Sequence, residues 1–390
     1  MLSSKHKCSD KICICFPFVG DSLGGSVISS AMVVGDLSQD PRFRIIVLLH
    51  ERGTMAAWLE HEGIDVVFCE EIPHVQLQGN LLLMLIGIYR AQKSIKRFLA
   101  AHSVDIVHTN DGRMHLTWGI AAYRSQCRHI WHQRTRFAKS RLVSYLARFP
   151  DRIIAISEFV KKTIPKDSRA RVLTVANPLR PRSQLPQKIQ KKELIFNWSR
   201  VRAEETIVIG FVGTFNRQKR IEDFVAIAAH LKKAIPPIQK VFYTVVGKEG
   251  DYSCKELRTL FDRKELEGQY LVEDYRYNIV DWYEAIDILI APAQNEGFGR
   301  NIMEAVERST MVVASNSGGH AEVVGSLSTG MIVELGNIEQ YVDAIVRFIQ
   351  SRNANERELL LSRRTVIRRF NHKQISKLIA SEYIDLVNDQ

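Results

Sequence analysis

The 390-residue sequence predicts an α/β fold: two doubly wound parallel sheets in tandem, each covered by helices. Three observations carry this. Short β-branched runs alternate with longer helix-periodic segments along nearly the whole chain. The strand runs are continuously apolar rather than alternating, as expected of strands covered on both faces. The alternation is interrupted once, by a proline-rich charged stretch near the middle.

In the first half, strands are expected at 11–16 (KICICF), 44–49 (RIIVLL), 64–68 (IDVVF), 104–108 (VDIVH), 129–131 (HIW), 152–157 (RIIAIS) and 171–176 (RVLTVA), with amphipathic helices between them. The eight-residue run LLLMLIGI, residues 81–88, reads as the buried part of a helix in preference to a membrane-inserting segment. It is far shorter than the roughly 20 apolar residues of a membrane span. The interruption NPLRPRSQLPQKIQKKELIFNWSRVRAEE has three prolines and no period. Strands resume at 206–213 (TIVIGFVG), 241–247, 269–272, 287–292 (DILIAP), 311–315 (MVVAS) and 331–335. The domain boundaries that follow are 1–180, a linker over 181–205, a second domain over 206–372, and a terminal helix over 373–390 that packs back on the first domain. Ligands of such sheets bind beyond the carboxyl ends of the strands. Two such domains facing across a cleft place the site there.

Composition is that of a globular chain, 45% hydrophobic and 25% charged. The first 16 residues have only a short, interrupted apolar stretch and no small-residue cleavage site, so a first strand is expected rather than a signal peptide. The six cysteines are scattered, with no C-x-x-C and no zinc spacing. This fits a reducing compartment, hence the cytoplasm. The net charge of +11 attracts anions. Six basic and no acidic residues fall between Arg128 and Arg148; seven basic residues fall between Arg352 and Lys373 against Glu356 and Glu358. Each cluster reads either as a solvated helix face or as a surface for an anionic acceptor or the inner face of an anionic membrane. Nucleic acid is not an expected partner, because the basic runs are not interleaved with aromatics on a sheet face.

Four constellations could carry chemistry. After the first strand, FVGDSLGGS turns through Gly20, Gly24 and Gly25 into a helix near Ser26. Its spacing is neither the dinucleotide fingerprint nor a Walker loop. On its own it is as compatible with a tight turn as with a ligand loop. After the strand at 206, GTFNRQKRIEDF places Arg217, Lys219 and Arg220 where a diphosphate would be held. After DILIAP, the loop AQNEGFG presents Glu296 and glycine amides before a helix that starts near Arg300 and carries Glu304. Eight residues of helix span ~12 Å. That is longer than the ~5–9.5 Å of a glycosidase acid/base pair, so the carboxylates suit two contacts along one extended ligand. Last, His132 closes the strand HIWH, and His108 closes the preceding strand with a more structural character. No D-x-D, H-E-x-x-H or G-x-S-x-G occurs, and no metal is expected.

In this order the motifs resemble the GT-B fold glycosyltransferases of family 4, the E-x7-E type of glycosyl transferases group 1. LGGS, VDIVHTN, DRIIAISEFVKKTI, ANP, VGTFNRQKR, NEGFGRNIMEA and VASNSGGHAEVV carry the resemblance over nearly the whole chain. The resemblance implies two Rossmann-like domains and metal-independent, retaining transfer of a sugar from a nucleotide-diphosphate donor, UDP being the commoner base. The acceptor would be a hydroxyl of a glycan or lipid-linked glycan. Catalytic roles are then implied for Glu296 (transferred sugar), His132 (reacting sugar) and Lys219 (diphosphate). Donor contacts are implied for Gly24, Gly25 and the amides of Phe298, Gly299 and Arg300, for Glu304 (ribose) and for the loop at Tyr275 (base). Thr214 stands where the family has an arginine, with Arg217 as the substitute. Arg308, Ser309 and Thr310 replace a small glycine-containing turn, a change expected to affect packing. No cofactor is implied beyond the nucleotide sugar. Two alternatives use the same fold: a nucleotide-sugar 2-epimerase, and a non-catalytic subunit of a glycan-assembly complex.

Overall fold

The computed structural model describes residues 11–76, 81–182, 186, 190, 206–236, 239–274, 279–350 and 356–389. It divides into two compact units, Met1–Pro178 with His372–Gln390, and Leu179–Asn371. Most of the proline-rich stretch at 181–205, and the loop at Tyr275, lie outside the described residues.

The first unit holds β1 (Ile12–Phe18), β2 (Phe43–Leu49), β3 (Val66–Phe68), β4 (Ile106–Thr109), β5 (Arg128–Gln133), β6 (Arg152–Ala155) and β7 (Val172–Thr174), in the order β3-β2-β1-β4-β5-β6-β7. The second holds β8 (Thr206–Val212), β9 (Lys240–Gly247), β10 (Tyr270–Asp274), β11 (Ile288–Ala291), β12 (Met311–Ser315) and β13 (Gly330–Val333), in the order β10-β9-β8-β11-β12-β13. Every strand pairing is parallel, as the continuous apolar runs require. Each run read as a strand holds one, with ends displaced by a few residues at most. Both units therefore have the doubly wound order, with a topological switch between β1 and β4 and between β8 and β11.

One polar device recurs in both sheets. An aspartate just before a strand accepts a hydrogen bond from a backbone N–H of the neighbouring strand: Asp105 from Cys13 (2.8 Å), Asp151 from His129 (2.8 Å) and Asp287 from Val208 (2.8 Å). These are the aspartates of VDIV, DRII and DILI. They satisfy a strand-start donor and so help fix register. The cores are apolar: Cys13, Leu48, Ile95, Phe98 and Trp118 in the first unit, Ile209, Phe224, Tyr243, Phe261 and Ile345 in the second.

The terminal helix His372–Asn388 belongs to the first unit and packs on the helix Gly25–Ser38. Asp36 accepts from the His372 ring (2.8 Å) and the Ser376 hydroxyl (2.7 Å), Glu382 pairs with Arg152 (2.8 Å), and Tyr383 is fully buried.

One expectation is overturned. LLLMLIGI begins the helix Leu81–Ala101, but Leu81, Leu82, Leu83, Leu85 and Ile86 are exposed. The helix meets the core only through Ile88, Ala91, Ile95, Phe98 and Leu99, so its first two turns run past the apolar interior.

The turn at 308–310 is an ion network. Arg308 is 1% exposed; its Nε donates to Glu307 (2.7 Å) and another nitrogen to Glu284 (2.8 Å), while Arg363 also reaches Glu307 (3.3 Å). Ser309 takes the left-handed φ of +58° where the family turn has its glycine. Removing one partner of a buried ion network strands the other charges. Arg308→Ala is therefore expected to cost about 3–5 kcal/mol in urea unfolding. A loss under about 1 kcal/mol would mean the two glutamates find water.

Candidate functional site

The second unit's switch point lies between the carboxyl ends of β8 and β11. After β8 the chain enters a short 3-10 turn, Arg217–Lys219, capped by the Asn216 side chain, which accepts from the Lys219 N–H (2.9 Å). After β11 a loop leads to the helix Arg300–Glu307, whose N-cap is Gly299 at φ +106°. Two contacts join the ends: the Gln294 N–H donates to Gln218 O (2.8 Å), and the Asn301 side chain donates to Val212 O (3.1 Å). Between them, Lys219 Nζ donates to Glu296 Oε2 at 2.6 Å. Both side chains are largely but not fully buried, 22% and 19% exposed.

The Glu296 loop is held by backbone. The Gly319 N–H donates to Glu296 O (2.8 Å), and Gly318 bridges Glu296. Gly318 sits at φ +84°, and a Cβ there would lie 2.2 Å from Glu296 O. Any side chain at 318 would displace the carboxylate's own backbone. Asn295, left-handed at φ +53°, donates its N–H to Ser317 Oγ (2.9 Å). His320 lies against Gly299, where a Cβ would meet its ring at 3.0 Å.

Burial pushes the Glu296 carboxyl up, but the Lys219 charge and hydrogen bond outweigh it and hold the group below its usual range. Burial pushes His320 down to about 4, so it is neutral at pH 7 and Lys219 is the cation that keeps Glu296 ionised. Glu296 takes one of the three ammonium protons, leaving two N–H groups for a further anion.

The other predicted residues of this unit separate into two groups. Glu304 lies one turn into the helix, held by the Tyr283 hydroxyl (2.9 Å) and by Arg300. Phe298 is buried against Phe370, ring centroids 5.5 Å apart, so only its backbone can face a ligand. Arg217 has contacts of its own. Its amide donates to Asp251 (2.8 Å) and its guanidinium reaches Tyr252.

In the first unit, Gly24 is the N-cap of Gly25–Ser38, and a Cβ there would meet nothing within 4 Å. Neither packing nor backbone conformation demands glycine at 24, whose φ of −152° is ordinary extended backbone. The preceding loop is tied across this unit's switch by Arg113 and Asp21 (2.7 Å).

His132 ends β5 inside a buried network. Arg134 donates to Asn110 (2.8 Å), Asn177 (2.8 Å), Ser30 (3.0 Å) and His132 Nδ1 (3.3 Å). His108 Nε2 lies 3.1 Å from the same Nδ1, and its own Nδ1 is 2.5 Å from the Tyr383 hydroxyl. A guanidinium only donates, so His132 Nδ1 is an acceptor. The neutral ring must then carry its proton on Nε2, which is buried without a partner among the described residues. His108 in turn donates from Nε2 and accepts from Tyr383. Burial, then Arg134 and His108, push His132 well below its ordinary value. Nitrogen-15 spectra of labelled histidine should show His132 as the Nε2–H tautomer and unprotonated at pH 6. A Nδ1–H signal, or titration near pH 6.5, would contradict the relay.

The basic stretch 128–148 does not form one surface. Arg134 is internal, and Arg128 pairs with Asp151 (2.9 Å). Lys139, Arg141 and Arg148 line a recess of about 400 Å³ with Tyr145, and Arg148 there meets Asp167 (2.9 Å). The described cysteines are all free, and no three His, Cys, Asp or Glu side chains among the described residues are grouped to hold a metal.

Sequence reasoning missed Gly318, Gly319, Asn301, His320 and Tyr383. Only the adjacent glycines of SNSGGH were a visible signal; Tyr383 is brought to His108 by tertiary packing alone.

Residues 194–359 match the family model described as glycosyl transferases group 1. Among curated proteins, the lipopolysaccharide core biosynthesis mannosyltransferase LpsB of Rhizobium meliloti (strain 1021) is 35% identical over 99 residues, 25% of this chain and 28% of that protein. The chain spans less than two thirds of the curated relatives it matches. Among solved structures, HepE of Anabaena in complex with UDP-glucose aligns with a TM-score of 0.76 at 20% identity, over 96% of this chain and 100% of that one. A glycosyltransferase from Rickettsia africae ESF-5 aligns with a TM-score of 0.79 at 18% identity, over 98% and 100%. These structural likenesses establish the fold, two Rossmann-like domains of the GT-B class. The family match falls on the second of them, over less than half of the chain.

Proposed function

We propose that this protein is a retaining, metal-independent glycosyltransferase that moves a sugar from a nucleotide-diphosphate donor to a hydroxyl of a glycan or lipid-linked glycan. The observation that carries this is the Lys219–Glu296 pair at the switch between β8 and β11, beside the start of the helix Arg300–Glu307. A doubly wound sheet binds its ligand at that place. In this reading the donor lies along the loop. Glu296 accepts from hydroxyls of the sugar, the two open N–H groups of Lys219 and the amides at Gly299 and Arg300 meet the diphosphate, and Glu304 accepts from the ribose. Negative charge grows on the diphosphate as the bond to the sugar breaks, and the preplaced cation and amides stabilise it there. The acceptor attacks on the same face, and the leaving phosphate takes its proton. UDP is the proposed carrier, because the structural relative HepE was solved with UDP-glucose. The proposed acceptor is lipid-linked and lies at the inner membrane face; similarity to the lipopolysaccharide core biosynthesis mannosyltransferase LpsB supports this reading.

The test is a donor screen read by mass spectrometry. Purified protein is incubated with UDP- and GDP-sugars, with and without extracted lipid-linked glycans. Acceptor mass should rise by one sugar from one donor, with the donor's anomeric configuration kept and the rate unchanged by a chelator. Donor conversion without acceptor would point to an epimerase instead. Absence of calorimetric binding to both UDP and GDP would leave a non-catalytic subunit.

A further inference from the structure

The first two turns of the helix Leu81–Ala101 have an unusual surface. Leu81, Leu82, Leu83, Leu85, Ile86 and Tyr89 are 57, 64, 60, 44, 38 and 80% exposed. At about 100° per residue these exposed positions spread over an arc of about 200°, wider than one stripe, with half-buried Met84 and Gly87 and buried Ile88 on the remaining side. From there to Ala101 the helix has no acidic residue, and Arg90, Lys93 and Arg97 continue the outward face at helical spacing from Leu82 and Ile86. The opposite side, through Ala91, Ile95, Phe98 and Leu99, anchors the helix in the first unit's core. A rigid helix thus presents a leucine-rich end, then an aromatic residue, then cations.

We propose that this helix docks the protein on an anionic lipid surface, the leucine-rich end entering the acyl boundary and Arg90, Lys93 and Arg97 meeting lipid phosphates. Two observations favour lipid over a protein partner. A partner's groove covers one stripe of a helix about 100° wide, whereas acyl chains can cover the whole of the wider arc exposed here. The charge order also matches a bilayer's depth profile, with apolar groups deepest, tyrosine at the headgroup level and cations at the phosphates. No helix among the described residues is long and apolar enough to cross a membrane, so the element inserts shallowly. This extends the proposed membrane-borne acceptor by naming the surface that reaches it. The surface is different from the basic stretches that charge counting singles out.

The experiment is flotation of the purified full chain with phosphatidylcholine vesicles, with and without phosphatidylglycerol. Wild type should float with the phosphatidylglycerol vesicles and bind plain phosphatidylcholine at least about tenfold more weakly. Two variant sets separate the contributions. Leu82→Gln/Leu85→Gln/Ile86→Gln should lose binding to both compositions. Lys93→Gln/Arg97→Gln should lose about tenfold on the anionic vesicles alone. All of these residues are exposed, so circular dichroism and thermal unfolding should be unchanged. Unaltered flotation of the leucine variant, or no flotation of wild type, overturns the proposal. So does a wild-type dimer that the leucine variant converts to monomer, since the patch would then be an interface between copies. Flotation needs neither donor nor acceptor. Its failure leaves the glycosyltransfer reading intact, and failure to bind UDP leaves this one intact.

Discussion

Lys219→Ala and Glu296→Ala are each expected to cut sugar transfer by about 100-fold or more, chiefly in kcat. The argument starts from the 2.6 Å contact between them. The ammonium is held by the capped 3-10 turn on one side and the carboxylate on the other, so on the proposed reading it is already in place when charge develops on the leaving diphosphate. Removing it costs the transition state a fixed cation and also leaves Glu296 buried beside a neutral His320. The carboxyl then loses the group that keeps it ionised. Removing Glu296 frees the lysine to swing toward solvent and, on the proposed reading, deletes the acceptor for the sugar's hydroxyls. The two residues act as one unit, so the double variant should be about as impaired as either single one. Lys219→Arg keeps the charge but not the compact donor geometry, and should recover only part of the rate. The measurement is single-turnover transfer on the acceptor found by the donor screen, with UDP affinity taken by calorimetry. Near-normal turnover of either alanine variant would remove that residue from the chemistry, and strictly additive losses would dissolve the pair.

The fold was almost fully legible in the sequence because its signals are local. Continuous apolar runs mark covered parallel strands, whereas the register role of the aspartates before β4, β6 and β11 shows only in the structure's hydrogen bonds. The site was legible in part. GTFNRQKR shows three cations in one turn but not which of them meets Glu296. The backbone decides that. Arg220 takes a left-handed φ of +53° and pairs with Asp223 (2.7 Å), Arg217 goes to Tyr252, and only Lys219 meets Glu296. The leucines at 81–86 misled for the opposite reason. An apolar run records the transfer free energy of its side chains, and whether a core lies opposite them is a tertiary fact. Tyr383 carries no local signal at all, since its partner His108 lies 275 residues away in the chain.

Acidification should unfold the first unit while the second remains folded, with a midpoint between about pH 6 and 5. The cause is histidine burial. His50, His108, His115, His129 and His132 are all 3% exposed or less. Burial pushes His50 and His129 down to about 4 and the other three well below the ordinary value. In the unfolded chain each titrates near ~6.5. Depressed histidines contribute their full stability above that pH and lose it as pH falls toward the folded values, because only the unfolded chain takes up protons in that window. Each site contributes a slope of up to about 1.4 kcal/mol per pH unit, so five together approach ~7 kcal/mol per unit. A domain's whole stability is about 5–15 kcal/mol, so one to two pH units suffice. The second unit has His320 alone of this kind among its described residues, and its Glu296 shift acts only at lower pH, where a carboxylate below its usual range begins to protonate. Hydrogen exchange read by mass spectrometry should therefore show β4 and β5 losing protection near pH 5 while β8 and β11 keep theirs. Fluorescence of the buried Trp118 and Trp131 should change over the same interval. A single transition of both units below about pH 4 would show that carboxylates, not histidines, set the acid limit.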